Sequence, residues 1–422
     1  MRAGGPPSPR THRLDNGLRV AVQPLPGVAT VAARLLLPLG AAHDPPELPG
    51  LSALAWAWAE RGAAGRDAHA HADAWAELGA RPGGHAGREV SVRAFTATPD
   101  VLIPALRLLA AEAAAPTLAN ETFALARTQA QDELDALSDR PDAQLDEALN
   151  AHAFRPPYDR SAYGNDEGLA AADAEAVRRG YLQRARPDGA VLAVAGGMPE
   201  AAAWAAVEAT FGGWTAPADP ASGLPDLAWA PPAGHDLVGG GQQAHLGWAW
   251  PVLPPGDPRA AAQALGMAVL SAGSGARLFR EVREARGLAY AVEAGTHTLA
   301  GTGWASAYAA TGPERAEEAM SVIERILDEL PDGVDEEELS RARAGLRTRE
   351  ALTAETSAGR AAQAARDVWL LGRARSLRAR DESLMEPTAE DVRAALAAWP
   401  ERPPTRVALW PERAPARAGE AA

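Results

Sequence analysis

The sequence contains no cysteine among its 422 residues, which excludes a disulfide framework, a thiol nucleophile and any thiolate metal site. It contains no lysine either: all 41 basic residues are arginine. That removes a Schiff-base nucleophile and any phosphate-binding loop that needs a lysine. The GxGxxG pattern of dinucleotide sites is missing too, so Gly196-Gly197 reads as punctuation between a strand and a helix. The formal net charge of -14 argues against a nucleic-acid partner, because phosphate binding depends on basic surface. No uncharged apolar run approaches the ~20 residues of a membrane span; Arg34 interrupts the best candidate. The opening MRAGGPPSPRTHRL lacks the apolar core of a signal peptide, so a cytoplasmic protein without a membrane partner is expected.

What is present is 47 % apolar residues, enough for sizeable cores, in a chain long enough for at least two domains. Residues 1–10 form a Pro/Gly-rich lead expected to be disordered. Strands follow at 12–24 and 28–39, around the turn dipeptides Asn16-Gly17 and Pro26-Gly27. A helix begins near Leu51, a second covers 67–79, and alternating Val90, Val92 and Ala94 predict a strand over 89–98. Helices at 100–114 and 120–137 and a buried strand at 190–195 complete this half. Residues 216–235 are rich in proline and glycine with little periodicity and read as a linker. The second half repeats the plan, with strands at 245–251, 302–308 and 405–409 and helices at 260–270, 314–330, 349–373 and 389–399. Domains are therefore expected at 11–215 and 236–413, with a frayed tail at 414–422. The 12 tryptophans recur in both halves and belong mostly in cores or domain interfaces.

One stretch, 271–295, carries two polar side chains in a telling frame. Residues 276–286 read as a helix stopped by Gly287. Leu288, Tyr290 and Val292 then alternate with small residues, as in a strand. Arg283 in the last helical turn and Tyr290 seven residues later can face one site. The plainer reading is a solvated arginine stripe, Arg277, Arg280 and Arg283, beside a half-buried tyrosine.

The string SGARLFREVREARGLAYAVEAG resembles the second-half signature of the insulinase-like (pitrilysin, mitochondrial processing peptidase) metallopeptidase family in its bacterial branch. LDNGLRV at 14–20 is similar to that family's opening phrase. The resemblance implies an α/β (α+β) fold of two homologous domains, each a mainly antiparallel sheet with helices packed on one face, joined by a linker. It implies that Arg283 and Tyr290 hold a peptide substrate next to a zinc ion bound by the other half of the active site.

The family's zinc motif, His-x-x-Glu-His, follows a Gly-Leu pair on a helix; two histidines four apart share a face and the glutamate activates bound water. Aligned through Gly50-Leu51, those positions fall on Ala53, Trp56 and Ala57, none of which ligates a metal or moves a proton. Glu60 is the nearest acid, and the helix holds no histidine. Trp56 and Trp58 are expected to fill the cleft with apolar bulk. His69 and His71, two apart, point about 200° apart and cannot chelate together, although His69 and Asp73 could. With His85 nearby, the expectation for these histidines is solvated helix surface. The family's third ligand position falls on Asp132 or Glu133, expected here as surface residues, and its substrate-pairing edge strand matches 89–98. The resemblance thus implies a subunit without a cofactor of its own. It would bind unfolded peptides and lend Arg283 and Tyr290 to a zinc-bearing homologous partner in a heterodimer; a homodimer is left open. The alternative is an inactive peptide-binding or scaffold homologue.

Overall fold

The computed structural model describes residues 7–215, 223–239 and 241–412. The first six residues of the expected lead, 216–222 of the expected linker and all of the expected tail lie outside the described residues. By mutual contact the chain divides into two units: one takes 1–134, 160–225 and 351–377, the other 135–159, 226–350 and 378–422. Each unit therefore keeps one half of the chain and takes a segment from the other half.

The first unit is built on a sheet of β1 (Arg10–Arg13), β2 (Arg19–Pro24), β3 (Val31–Leu37), β4 (Arg81–His85), β5 (Ser91–Ala97) and β6 (Val191–Gly196), in the order β1-β2-β6-β3-β5-β4. Only the β2–β6 pair is parallel. One face packs on helices that include α1 (Leu51–Ala59), α2 (Ala68–Glu77), α3 (Leu102–Ala114), α4 (Asn120–Asp135), α6 (Asp166–Ala171), α7 (Ala174–Arg184) and α8 (Glu200–Phe211). Val20, Val22, Leu35, Leu37 and Phe95 point into that core. The period-two alternation sends Ala21, Leu36, Val92, Val191 and Ala193 the other way, onto Ala364, Ala365 and Val368 of α12 (Ser357–Leu371). Covered on both faces, β6 is buried at every position, as its uninterrupted VLAVAG requires.

The second unit's sheet runs β7-β11-β8-β10-β9, from β7 (Gly234–Gly239), β8 (Ala244–Pro251), β9 (Ala289–Leu299), β10 (Thr302–Thr311) and β11 (Thr405–Pro411), antiparallel except for β7–β11. Its main core lies against α9 (Ala260–Ser271), α10 (Ala316–Gly333), α14 (Ala389–Ala397) and parts of α11 (Glu336–Ala354) and α13 (Leu377–Met385). The opposite face is covered by α5 (Pro141–Ala153). Leu246 and Trp248 enter the main core. Gly247 between them lets Leu145 approach, since a Cβ there would lie 3.1 Å from a Leu145 methyl.

Two local expectations are corrected. The substrate-edge segment expected at 89–98 is β5, which lies inside the sheet; the edge is β4, RPGGH, exposed along its length. Proline and two glycines have low strand propensity, and an edge is where proline is tolerated. The helix expected over 349–373 is interrupted by Thr356, whose hydroxyl accepts from the Gly359 amide at 2.9 Å and starts α12 anew. Among the described residues no helix is long and apolar enough to cross a membrane.

Ala365 on α12 is fully buried against the first sheet. Ala365→Asp places an unpaired carboxylate there and should lower unfolding stability by about 3 kcal/mol, measured by urea titration. An unchanged midpoint would mean that α12 does not close that face.

Candidate functional site

The segment carrying Arg283 and Tyr290 departs from regular geometry twice. The helix entered at Arg277 widens into a π-turn over Phe279–Glu284, with the Ala285 amide donating to the Arg280 carbonyl at 2.8 Å. Such turns are inserted residues, frequent at functional sites. Gly287, at φ 58°, then reverses the chain. In β9, Ala291 pairs with Ala310 and Ala289 with Thr311, so Tyr290 is the extra residue of a β-bulge. The Thr311 hydroxyl donates to the Leu288 carbonyl at 2.5 Å and holds the bulge in place.

The two irregularities bring the two side chains together. The Arg283 guanidinium lies 4.2 Å from the centre of the Tyr290 ring and 4.8 Å from that of Phe279, within cation–π range. Tyr290 is 78 % exposed. Among the described residues no carboxylate or carbonyl accepts from Arg283, and the Tyr290 hydroxyl has no partner. The arginine stripe splits by role: Arg277 is tied to Glu338 at 2.6 Å, Arg280 lines an adjoining cavity of about 600 Å³, and Arg283 keeps its donors free.

In the first unit, α1 begins at Gly50, in the left-handed region at φ 98°, with the Asp44 carboxylate accepting from the Gly50 and Ser52 amides at 2.8 and 2.9 Å. Ala53 and Ala57 are buried, and Trp56 is half-buried. The Trp56 indole donates to the Val92 carbonyl at 3.4 Å. Trp58 lies in the core and donates to the Ala119 carbonyl at 3.1 Å, so it does not line the cleft as expected. These side chains supply no metal donor, and among the described residues no group of three or more His, Cys, Asp or Glu could hold a metal ion.

Beside α1 lies a buried ionic network that the sequence reading missed. Arg93, 3 % exposed, sits 5.5 Å from the Trp56 ring centre and donates to the Trp56 carbonyl at 3.2 Å. It also reaches Glu112 at 3.4 Å and Glu60 at 3.9 Å. Glu112 accepts from the Trp75 indole and pairs with His71 Nε2, each at 2.8 Å. His71 is therefore buried rather than solvated; it faces inward from α2, while His69 stays at the surface 3.5 Å from Asp73. Burial alone would push Glu112 up, but His71 and Arg93 hold it below the usual carboxylate range. Burial pushes Glu60 up to about 7, against the pull of Arg93. Asp132 and Glu133 are exposed on α4, as expected, with Glu133 accepting from Gln129 at 3.3 Å.

Two models of one peptidase family match the chain, one described as Insulinase (Peptidase family M16) over residues 19–166 and one as Peptidase M16 inactive domain over 171–346. The chain belongs to the insulinase-like M16 peptidase family. An uncharacterized zinc protease of Mycobacterium tuberculosis is 30 % identical over 265 residues, 61 % of this chain and 59 % of that protein. The chain thus spans about three-fifths of the length of the mycobacterial relatives it matches. The uncharacterized zinc protease YmxG of Bacillus subtilis is 23 % identical over 376 residues, 87 % of this chain and 90 % of that protein. The crystal structure of a peptidase M16 inactive domain from Pseudomonas fluorescens superposes with a TM-score of 0.87 at 22 % identity, covering 97 % of this chain and 99 % of that one. A protease from Helicobacter pylori superposes with a TM-score of 0.86 at 14 % identity, covering 96 % and 100 %. At those identities the two structures speak to the M16 fold.

The M16 segment that carries the ionic network yields two predictions. Arg93→Met strands the Glu112 carboxylate in the core and should cost about 3–5 kcal/mol in urea unfolding; a loss under 1 kcal/mol would show that the network is solvated. Glu60, raised to about 7 by burial, binds its proton more tightly when folded. Its contribution to stability is present below the ordinary carboxylate value and lost as pH rises through about 7. Relative to Glu60→Gln, the wild type should therefore lose stability between pH ~4.5 and ~7 and stay level above. A pH-independent difference would refute the shift.

Proposed function

We propose that this M16 chain is the non-zinc-binding subunit of a peptidase acting in the cytoplasm. It binds unfolded peptides and lends Arg283 and Tyr290 to the active site of a zinc-bearing homologous partner. The observation that carries this reading is the stacked pair: an exposed phenol and a guanidinium 4.2 Å apart, each with its hydrogen-bonding groups unused. Ala53, Trp56 and Ala57 offer no zinc ligand, which is why a second chain is needed. The partner's zinc would supply the Lewis acid and the activated water of peptide hydrolysis.

Within that arrangement the Tyr290 hydroxyl donates to the oxygen of the scissile carbonyl. Arg283, stacked on the ring, donates to the same oxygen or to a neighbouring substrate carbonyl as negative charge develops. Independently of that pair, a peptide can add as a strand to the exposed edge at β4 of the first unit.

With a reconstituted pair, Tyr290→Phe should lower peptide turnover ~100- to 1,000-fold, the usual effect of losing one oxyanion donor. Arg283→Ala should also lower it, and Arg283→Lys should not restore it, because an ammonium lacks the planar fork. Size-exclusion chromatography should find the variant pairs assembled. Wild-type turnover in both Tyr290→Phe and Arg283→Ala would leave a peptide-binding scaffold in place of a complementing subunit.

A further inference from the structure

The α12-covered face of the first sheet is left bare toward its outer edge, and that bare part is cationic. Arg34 on β3 lies opposite Ala94 on β5, and Ala94 lies opposite Gly83 on β4. Residues opposite one another across strands share a face, so this row reads Arg34, Ala94, Gly83 from the sheet interior to its edge. Arg81 and His85, two residues either side of Gly83, point the same way. α12 lies over β2, β6 and β3 and reaches β5 at Val92, while β4 is exposed throughout and a Cβ at Gly83 would meet nothing within 4 Å.

Arg34 has no carboxylate or carbonyl partner among the described residues. It is half-buried, and burial pushes its guanidinium down. A desolvated cation without an anion is costly, and in a chain of net charge -14 a local cluster of this sign stands out. Small residues leave an open floor between Arg34 and β4, and a strand added outside β4 would lie ~14 Å from β3. A long acidic side chain and an arginine extended toward each other bridge that span.

We propose that this shelf is a carboxylate subsite: a peptide docked along β4 sets a Glu side chain against Arg34, with Arg81 and His85 flanking. The inference rests on the reading that β4 takes the peptide as an added strand. It adds a preference for substrates carrying an anion at one side of the docked segment.

The test is fluorescence anisotropy of labelled unfolded peptides on the full chain at low salt: an uncharged, C-terminally amidated peptide, the same peptide with one central Glu, and the same peptide with a free C-terminus. The Glu peptide should bind about tenfold tighter than the neutral one, whereas the free C-terminus, too short to reach Arg34, should gain little. Arg34→Met should abolish that advantage while leaving the neutral peptide's affinity unchanged, and Arg81→Gln, at an exposed edge position, should reduce it about twofold. The advantage should shrink in 1 M salt. Equal binding of all three peptides, or an advantage that survives both Arg34→Met and Arg81→Gln, overturns the subsite and leaves docking at β4 intact. No binding of any peptide overturns docking at β4, and the subsite with it.

Discussion

Both sheets bury apolar side chains on both of their faces, and in each the helices of one half of the chain cover only one face. That constraint organises the molecule. In β6 all six residues are buried, so a layer is needed on either side. The missing layer of the first sheet is α12, from the second half, and that of the second sheet is α5, from the first half. Each device depends on small residues at the contact. Ala361, Ala364 and Ala365 let α12 lie close on the strands, and Gly247 opens the second sheet to Leu145. Close approach is what makes a single helix sufficient, because dispersion contacts fall off within an ångström of a gap.

The polar groups of the chain sort by whether the fold uses them. Around α1, Arg93 is enclosed by Glu112, the Trp56 carbonyl and the Trp56 ring, while Glu112 in turn receives His71 and Trp75. A buried ion pair of this kind holds neighbouring elements in one arrangement and is costly to break on one side only. Arg283, Tyr290 and Arg34 contrast with it, since among the described residues no side chain or carbonyl takes up their hydrogen bonds.

The sequence was most legible where a local rule applied. Alternation located β2, β3, β8 and β10, glycines located the turns, and the Arg283–Tyr290 spacing allowed both side chains to face one place, where they lie 4.2 Å apart. It was least legible where tertiary context outweighed propensity. Arg81-Pro-Gly-Gly-His has little strand propensity, yet it pairs residue by residue with β5 because an edge strand needs one partner only. His71 and His69 look alike in sequence; which of them is buried depends on Glu112, 41 residues further on. Nor does periodicity say which sheet a helix covers. The patterns of α5 and α12 fix a buried face for each helix but not the partner it meets, and contacts of such sequence separation leave no local trace.

The geometry of Arg283 and Tyr290 is irregular on both sides of Gly287. A helix that kept its ladder would carry each residue on by about 100° per step, and a strand that kept its register would pair Tyr290 with β10. The π-turn adds a residue before the turn at Gly287, and the bulge adds one after it. Each insertion forgoes a ladder hydrogen bond, and each is held by a specific contact: the Leu288 amide donates to the Val282 carbonyl at 2.9 Å, and Thr311 holds the Leu288 carbonyl. Together they turn both side chains out of their elements and onto each other. Departures from local regularity concentrate where a surface must present groups rather than bury them, and here they converge on the same two residues that the peptidase signature singles out.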